Sequence, residues 1–456
     1  MPDRRARPVV LRGGTVIDST GERRADVVIE GSDIVCVDAE VETPKNAKVL
    51  DASSCFVVPG LVDLHTHARQ PGAEESETIE SAARSASLGG FTAFVAMPNT
   101  DPPIDCAPVA REVLALGSNV TCRVCVSGAI TVGRRGELLA PMGELAALGV
   151  RIFTDDGSGV QDAGVMRRAM DYAKGLGVTL AQHCEDSALA AHGHMHEGAW
   201  SSRLGLPGAP GEAEEVMAIR DIALCRLTAA RLHLLHISSA ATLRAVEFAK
   251  AEGLPVTAEV TPHHLSLTDA SLQGYDAVFK VNPPLRTSDD VHALRAGCAT
   301  GAIDAIATDH APHPPEAKDQ PVAEAPPGML GLETALAVAM GALVRNEPTF
   351  DQLDLSEPER FVSGDDGGGF RPLRLNEMLA LMSWKPAHIA GIAVDQGGDQ
   401  GGPIAAGLPA NICVIDPTHT WVVDARRLAS RSRNTPFEGR KLEGKVRHTI
   451  YRGEPV

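Results

Sequence analysis

The chain has few aromatic residues, no excess of basic charge and no long apolar run. Aromatic residues make up 4% of its 456 residues, and 42 Lys and Arg against 59 Asp and Glu give a formal net charge of −17. A nucleic-acid-binding protein needs clustered cations for its phosphate contacts, so this balance disfavours that class. No stretch reaches the roughly 18 apolar residues of a transmembrane helix, and we expect no membrane partner.

Targeting, disulfide and nucleotide-binding signals are missing as well. The opening MPDRRARPVVLRGG has arginines but not the apolar core of a secretory signal. The nine cysteines are scattered, and the only C-x-x-C, Cys122 to Cys125, has no second pair at zinc-ribbon spacing. We therefore expect a reducing, cytoplasmic location. No G-x-G-x-x-G or P-loop follows an apolar run, which weakens a dinucleotide or nucleotide interpretation.

Short apolar runs recur from about residue 55, and most of them end in a polar or ionisable residue. The eight runs are CFVVPGLVDLHTH, FTAFVAMPNT, RVCVSGAI, VRIFTDD, TLAQHCED, LHLLHIS, VTAEVTPHH and AIDAIATDH. Stretches of helical composition separate them. This alternation predicts an α/β fold, and eight units in a row favour a (β/α)8 TIM-type barrel with its site at the carboxyl ends of the strands.

The two ends of the chain differ from its middle. Residues 1–58 and 404–456 contain short alternating strands with Gly and Asp turns. Because chain termini often lie close together, we expect these segments to pair into a small discontinuous β-sandwich domain. Residues 59–403 then form the barrel as a metal-dependent catalytic domain. The polar, Gly-rich stretch 346–372 is expected to be a surface insertion in the last third of the barrel.

Ionisable residues at the strand ends predict a metal site. His65 and His67 form an H-x-H whose side chains face the same side of a strand, a weak signal by itself. Four histidines and two carboxylates occur at five strand ends: His65, His67, Asp156, His183, His236 and Asp309. Imidazole and carboxylate ligands suit Zn²⁺, although other first-row ions also accept them.

Two neighbouring metal ions need a bridging ligand. In many enzymes of this architecture, a carbamylated lysine at the end of the fourth strand supplies it. No lysine occurs here between Lys48 and Lys174. In a two-ion site, Asp156 or its neighbour Asp155 must therefore take the bridging role. We favour two Zn²⁺ ions bridged by Asp156, and occupancy by a single ion stays open.

Further polar residues near the strand ends are candidates for catalysis and substrate binding. Asp309 of TDHAPH can move a proton, and His313 can donate to an anionic substrate. Arg69 follows the H-x-H, where a guanidinium can pair bidentately with a carboxylate. Asn99 and Asn282 can hydrogen-bond a carboxylate or a ring amide, and their alternative role is to form turns.

In their order along the chain, the motifs VDLHTHARQPG, AMPNT, FTDDG, QHCED, LHIS, TPHHL, VNPPLR and ATDHAPH resemble those of the amidohydrolase superfamily. More closely, they resemble the type I dihydroorotases of bacteria, over nearly the whole chain. The combination of H-x-H-x-R-x-P-G with TDDG and TDHAPH is specific, because the related hydantoinases and allantoinases keep the lysine that this chain lacks.

The resemblance implies a role for each matching residue. His65 and His67 bind one zinc ion together with Asp309, which is also the general base and acid. His183 and His236 bind the second ion, and Asp156 bridges the two. The implied substrate-binding residues are His67, Arg69, Asn99, Asn282, His313, Pro327 and Gly328. The last two belong to a loop that often carries Phe-Gly in the family, so Pro327 is a departure.

The implied reaction is the reversible zinc-dependent hydrolysis of (S)-dihydroorotate to N-carbamoyl-L-aspartate, a step of de novo pyrimidine (UMP) biosynthesis. A metal-bound hydroxide attacks the ring amide carbonyl, and Asp309 delivers the proton to the leaving nitrogen. A homodimer is also implied, and association with aspartate transcarbamoylase stays open.

Two alternatives are kept. Another cyclic amidase, such as allantoinase or dihydropyrimidinase, is disfavoured by Arg69 and by the missing lysine. A non-catalytic scaffold for aspartate transcarbamoylase is disfavoured because all four strand-end histidines are retained.

Overall fold

The structure is a computed structural model that describes residues 7–351 and 370–456. Its strands are β1 (Val9–Asp18), β2 (Gly21–Glu30), β3 (Asp33–Asp38), β4 (Lys48–Asp51), β5 (Phe56–Pro59), β6 (Leu61–Thr66), β7 (Phe91–Ala96), β8 (Arg123–Val126), β9 (Ile152–Phe153), β10 (Thr179–Gln182), β11 (Met195–His196), β12 (Gly208–Ala209), β13 (Arg231–Leu234), β14 (Val256–Val260), β15 (Ala305–Ile306), β16 (Ile412–Val422), β17 (Lys441–Tyr451) and β18 (Glu454–Pro455). Its α-helices are α1 (Ile79–Leu88), α2 (Ala107–Leu116), α3 (Met142–Ala147), α4 (Ala163–Leu176), α5 (Ala199–Leu204), α6 (Glu212–Thr228), α7 (Ala240–Ala251), α8 (Ser288–Thr300), α9 (Pro315–Lys318), α10 (Ala335–Ala339), α11 (Leu375–Met382) and α12 (Trp384–Ile389). Among the described residues, none of these helices has the length and apolar character needed to cross a bilayer.

Parallel strands form the middle of the chain, and each of the eight apolar runs contains one of them. Strands β6, β7 and β8 form one sheet, and a second has the spatial order β15-β14-β13-β10-β9. All neighbours in both sheets are parallel. Isolated parallel bridges from Gly128 to Phe153 and from Thr66 to His310 connect the edges of the two sheets. The carboxyl ends of these strands therefore face the same side.

Local sequence signals fix the helices that follow these strands. Helix α4 begins after Asp162, whose carboxylate accepts a hydrogen bond from the Val165 amide at 2.7 Å, and it ends at Gly177, which has a φ of +67°. Such an N-cap and a left-handed C-terminal glycine satisfy free backbone groups at the two helix ends. Strands β6 and β7 are buried along their whole lengths, which explains their continuous apolar sequences.

Strands from the two ends of the chain form one further sheet, in the order β18-β17-β16-β5-β1-β2-β3, with β4 paired to β1. The ends meet where β16 runs antiparallel to β5, with Ile412 opposite Pro59 and Ile415 opposite Phe56. The terminal segments thus pair, as expected. They are hydrogen-bonded as a single sheet, and the two-layered sandwich and the domain boundaries stay predictions.

Much of the predicted insertion at 346–372 lies outside the described residues, since 352–369 are not described. The surface position expected for this stretch is wrong for Thr349 and Phe350, which are both buried. The Phe350 ring packs 5.3 Å from that of Phe437, measured between centroids. This aromatic contact holds the start of the stretch against the protein interior.

Candidate active site

The structure brings all six candidate ligands together, and all of them are buried. Each lies at or just beyond the carboxyl end of a parallel strand: His65 and His67 at β6, Asp156 after β9, His183 after β10, His236 after β13 and Asp309 after β15. Because these strand ends face one side, residues that are far apart in sequence converge there.

Asp156 lies among four imidazoles. Its Oδ1 is 3.4 Å from His65 Nε2, 3.6 Å from His183 Nδ1 and 3.5 Å from His236 Nε2. Its Oδ2 is 3.6 Å from His67 Nε2. Two groups able to hold a metal ion, one with His65 and His67 and the other with His183 and His236, therefore share this carboxylate.

The alternative bridging residue, Asp155, faces away from this centre. Its Oδ1 accepts hydrogen bonds from the backbone amides of Ile130 at 2.8 Å and Thr131 at 3.0 Å. Its Oδ2 accepts a further bond from the Thr131 hydroxyl. Asp155 thus anchors the loop after β8, and Asp156 is the one of the pair that reaches the histidines.

Asp309 lies beside the first of these two groups. Its Oδ1 is 3.0 Å from His67 Nε2 and 3.5 Å from His65 Nε2. Burial acts to raise the pKa of Asp309, but the hydrogen bond from His67 and the positive potential of His65 outweigh it, and the net shift is downward. The carboxylate is therefore ionised at neutral pH and able to accept a proton.

Three residues of this site have strained, left-handed backbone conformations. Arg69, His236 and Asp309 have φ values of +60°, +29° and +45°. Residues with side chains rarely adopt such conformations, which cost about 1–3 kcal/mol each and persist only where the surroundings impose them. Here they turn each side chain toward the common centre as the chain leaves its strand.

Oxygen atoms next to His65 and His67 determine which nitrogen of each imidazole faces the centre of the cluster. Glu259 Oε1 lies 2.9 Å from His65 Nδ1, and Asn99 Oδ1 lies 2.9 Å from His67 Nδ1. These oxygens can only accept, so each Nδ1 carries the proton and donates it. The Nε2 atoms of His65 and His67 face the carboxylates of Asp156 and Asp309, and a metal ion would bind there in place of any Nε2 proton.

The sequence did not identify Glu259 or its neighbour His233. Besides His65, Glu259 Oε1 accepts from the His236 amide at 3.3 Å, and Oε2 accepts from His233 Nε2 at 3.1 Å. Burial acts to raise the pKa of Glu259, but the bonds from His233 and His65 lower it to about 2. A charged residue inside the apolar run VTAEV is the signal that could have revealed it, since a buried carboxylate must be paired.

The donor set fits a divalent metal ion. The carboxylates of Asp156, Asp309 and Glu259 are buried next to the four imidazoles. Among the described residues, His65 Nε2 and Asp156 Oδ1 are buried atoms without a hydrogen-bond partner. Such atoms destabilise a protein unless they are satisfied, and buried anions need a compensating cation. Nitrogen and oxygen ligands of this kind suit Zn²⁺ and other first-row metals.

Five of the six candidate ligands, all except His65, line a cavity of about 250 Å³. The candidate substrate-binding residues all line it: His67, Arg69, Asn99, Asn282, His313, Pro327 and Gly328. Asn282 Nδ2 is 3.3 Å from His183 Nε2, which places the amide beside the second group of ligands. The cavity thus combines a metal-ligand cluster with side chains that can bind a small polar molecule.

A cationic side chain and a neutral imidazole lie next to each other in this cavity. Arg69 Nη2 is 3.4 Å from His313 Nε2, and Arg69 Nε donates to Pro312 O at 3.1 Å. Burial lowers the pKa of Arg69 to about 10, so the guanidinium stays charged at neutral pH. Burial and Arg69 together lower the pKa of His313 to about 3, so this imidazole is neutral.

The loop that carries Pro327 and Gly328 is held by hydrogen bonds within the protein. His313 Nε2 donates to Pro327 O at 2.8 Å, and the Gly328 amide donates to Lys280 O at 2.9 Å. The Gly328 N–H is therefore engaged away from the cavity. Pro327 has no N–H, and its carbonyl oxygen keeps one lone pair free for a further donor.

Comparisons with known proteins agree on one family. A model of the family described as Dihydro-orotase-like matches residues 55–242. The chain is 46% identical to a dihydroorotase from Anaeromyxobacter dehalogenans over 451 residues, which are 98% of this chain and 97% of that one. It is 44% identical to a dihydroorotase from Mycobacterium leprae over 448 residues, again 98% of this chain and 97% of the relative.

Solved structures agree on the fold. An L-hydantoinase (dihydropyrimidinase) from Arthrobacter aurescens superposes with a TM-score of 0.82 over 98% of this chain and 95% of that one, at 23% identity. A dihydropyrimidinase from Brevibacillus agri gives a TM-score of 0.79 over the same shares, at 22% identity. These structures share the amidohydrolase fold, whereas the sequence relatives are close enough to define the family. The chain belongs to the dihydroorotase family of cyclic-amide hydrolases.

Proposed function

We propose that this protein catalyses the reversible hydrolysis of (S)-dihydroorotate to N-carbamoyl-L-aspartate and depends on bound Zn²⁺. Two ions are favoured, with Asp156 between them. The observation that carries the proposal is the half-buried guanidinium of Arg69, which lines the same cavity as the ligand cluster. Dihydroorotate carries a carboxylate and a ring amide, and this cavity offers a partner for each of them.

The ligand groups assign the metal-binding residues. We propose that His65, His67 and Asp309 hold one ion, that His183 and His236 hold the other, and that Asp156 contacts both. When bound, the ions supply an activated water at neutral pH and polarise the ring carbonyl. Glu259 and Asn99 keep the histidines of the first group in the tautomer that ligation requires.

Asp309 is the proton carrier in this proposal. Its low pKa keeps it ionised, so it can accept a proton from the attacking water. As the C–N bond of the ring breaks, the same carboxyl group returns that proton to the leaving nitrogen. In the direction of synthesis the order is reversed, and Asp309 takes the proton from the attacking nitrogen.

The substrate's carboxylate and ring are held by the remaining residues that line the cavity. Arg69 pairs with the carboxylate, and Asn99 adds a hydrogen bond to it through its amide N–H. His313 can add another when its single N–H turns from Pro327 O to the substrate. Asn282 contacts the ring, and Pro327 O accepts from a ring N–H. Fixing the ring in this way orients its amide toward the ligand cluster, which converts a bimolecular reaction into an effectively intramolecular one.

We also propose that the chain forms a closed barrel and a small separate domain. The two parallel sheets and the bridges that connect their edges support a closed (β/α)8 barrel over residues 59–403. The sheet built from both chain ends supports a small separate domain formed by residues 1–58 and 404–456. Family membership further supports a cytoplasmic role in pyrimidine biosynthesis and a homodimer, whereas association with aspartate transcarbamoylase stays open.

A substrate panel tests the proposal. The purified chain, loaded with Zn²⁺, is assayed for hydrolysis of dihydroorotate, 5,6-dihydrouracil, hydantoin and allantoin. We expect dihydroorotate to be strongly preferred, because it alone carries the ring carboxylate that Arg69 would bind. Activity on the uncharged rings without activity on dihydroorotate would instead assign another cyclic-amidase function. A metal-loaded chain that is inert on all four would point to a scaffold or to a required partner.

A further inference from the structure

The segment 428–437, which lies between β16 and β17, passes directly behind the cavity. Its side chains are among the most deeply buried of the C-terminal part of the chain, with Ser430 at 1%, Ser432 at 0%, Asn434 at 5% and Phe437 at 1% exposure. Although Arg431 is exposed, more than half of this segment is buried without regular secondary structure, and each buried polar group must find a partner inside the protein.

Both the oxygen and the nitrogen of the Asn434 side-chain amide hydrogen-bond to the loop that lines the cavity. Its Oδ1 accepts from the His313 amide at 3.2 Å. Its Nδ2 donates to Ala311 O at 2.9 Å and to Gly328 O at 3.1 Å. In addition, its backbone oxygen accepts from the Leu330 amide at 3.1 Å. One side chain therefore ties together the two arms of the loop, which carry His313 and Gly328 into the cavity.

The rest of the segment is anchored independently of Asn434. The Ser432 hydroxyl donates to Ser76 O at 2.8 Å, and the Ser430 hydroxyl donates to Glu77. Glu77 also accepts from His310 Nε2, at 3.3 Å, and Phe437 packs in an apolar cluster. The segment is therefore held in place by its own contacts, and the hydrogen bonds of Asn434 position the loop relative to it.

We propose that Asn434 is a positioning residue that sets selectivity for a carboxylated ring, by holding His313 and the Pro327–Gly328 turn where the substrate carboxylate binds. This inference rests on the proposed function. Asn434 lines neither the cavity nor the metal cluster, so it acts only through the loop. Without its amide group, the two arms lose three hydrogen bonds that no other described side chain supplies, and His313 and Pro327 move relative to Arg69.

The test compares kcat and KM for dihydroorotate and 5,6-dihydrouracil in the full-length zinc-loaded protein, in Asn434→Ala and in Asn434→Asp. Asn434→Asp keeps the acceptor for the His313 amide but turns a second acceptor toward Ala311 O and Gly328 O. A matched control is Asn411→Ala. Asn411 is 6% exposed and also uses both ends of its amide, on Arg452 N at 2.8 Å and Asp399 O at 2.7 Å, but it lies just before β16 of the terminal sheet.

We expect both Asn434 variants to retain zinc and to lower the ratio of kcat/KM for dihydroorotate over dihydrouracil by about tenfold or more, mainly through KM. Asn411→Ala is expected to lower the melting temperature and leave this ratio unchanged. An unchanged ratio in a folded, zinc-loaded Asn434 variant would contradict the role given to Asn434 but not the proposed function. A wild-type protein that does not prefer dihydroorotate would overturn the proposed function and, with it, the role given to Asn434.

Discussion

Replacing Glu259 by glutamine isolates the effect of its negative charge on the ligand His65. The carboxylate is fully buried, and it accepts from His65 Nδ1, from the His236 amide and from His233 Nε2. A glutamine oxygen can take the place of Oε1 and keep the first two bonds. Its NH2 group then faces His233, whose ring can switch tautomer because Thr257 Oγ1 lies 2.8 Å from Nδ1 and can accept.

The magnitude follows from this geometry. Every hydrogen bond has a replacement, so the loss of stability comes from the charge: a pKa of about 2 instead of 4.5 corresponds to up to about 3 kcal/mol of unfolding free energy in the metal-free protein at neutral pH. The lost charge makes His65 a weaker base, and loss of a carboxylate behind a ligating histidine typically lowers metal affinity by about 10- to 100-fold. That range corresponds to roughly 1.4–2.7 kcal/mol of binding free energy.

The assay is competition for Zn²⁺ between metal-free protein and a chromophoric chelator, with unfolding by urea measured on the same samples. The control is Glu333→Gln, because Glu333 accepts from Ser85 Oγ at 3.0 Å and from the Ala429 amide at 2.7 Å and touches no candidate ligand. Equal zinc affinities in wild type and Glu259→Gln would refute the reasoning. A loss of stability well above about 3 kcal/mol in the metal-free variant would show that Glu259 serves mainly the fold rather than the ligand.

Three further predictions concern other charged residues. Asp309→Asn should lower kcat by about 10²- to 10⁴-fold in folded protein, because an amide cannot carry the proton; near-normal turnover would exclude it as the base. Arg69→Gln should lower kcat/KM for dihydroorotate by about 10- to 100-fold and leave dihydrouracil unaffected, which steady-state kinetics on both substrates measures. Burial raises the pKa of Asp221 to about 6, above its usual 3.8, so the folded state binds the extra proton and stability falls as pH rises from about 4 to 6. In metal-free Asp221→Asn, the free energy of unfolding measured in urea should fall by up to about 3 kcal/mol less over this pH range than in the wild type. Identical pH dependence in the two proteins would contradict this.

The sequence was informative where residue type and strand position coincide. Buried parallel strands appear as continuous apolar runs, and polar residues at their carboxyl ends are conspicuous against that background. His65, His183, His236 and Asp309 could therefore be placed on one face before their distances were known. The alternating pattern predicted strands at both chain ends, the usual proximity of chain termini predicted their pairing, and Ile412 does lie opposite Pro59.

What the sequence did not provide depends on contacts between distant segments. His233 lies inside the apolar run LHLLHIS, where its position predicts only a core residue. Arg134 donates to the backbone oxygen of Asp156 from a loop without any motif. Asn434 reaches the cavity loop from the far end of the chain, and only the three-dimensional arrangement shows that contact. Supporting residues are selected by shape and hydrogen bonding, which leave no periodic pattern in the sequence.

The most direct test of the account is to measure dihydroorotate hydrolysis, N-carbamoyl-L-aspartate cyclisation and zinc content on the same purified sample, before and after chelation. We predict one to two zinc ions per chain, activity in both directions, loss of both activities with the metal, and recovery of both on adding Zn²⁺. Full activity in protein from which the metal has been removed would contradict the account, because the ligand cluster around Asp156 would then have no part in the reaction.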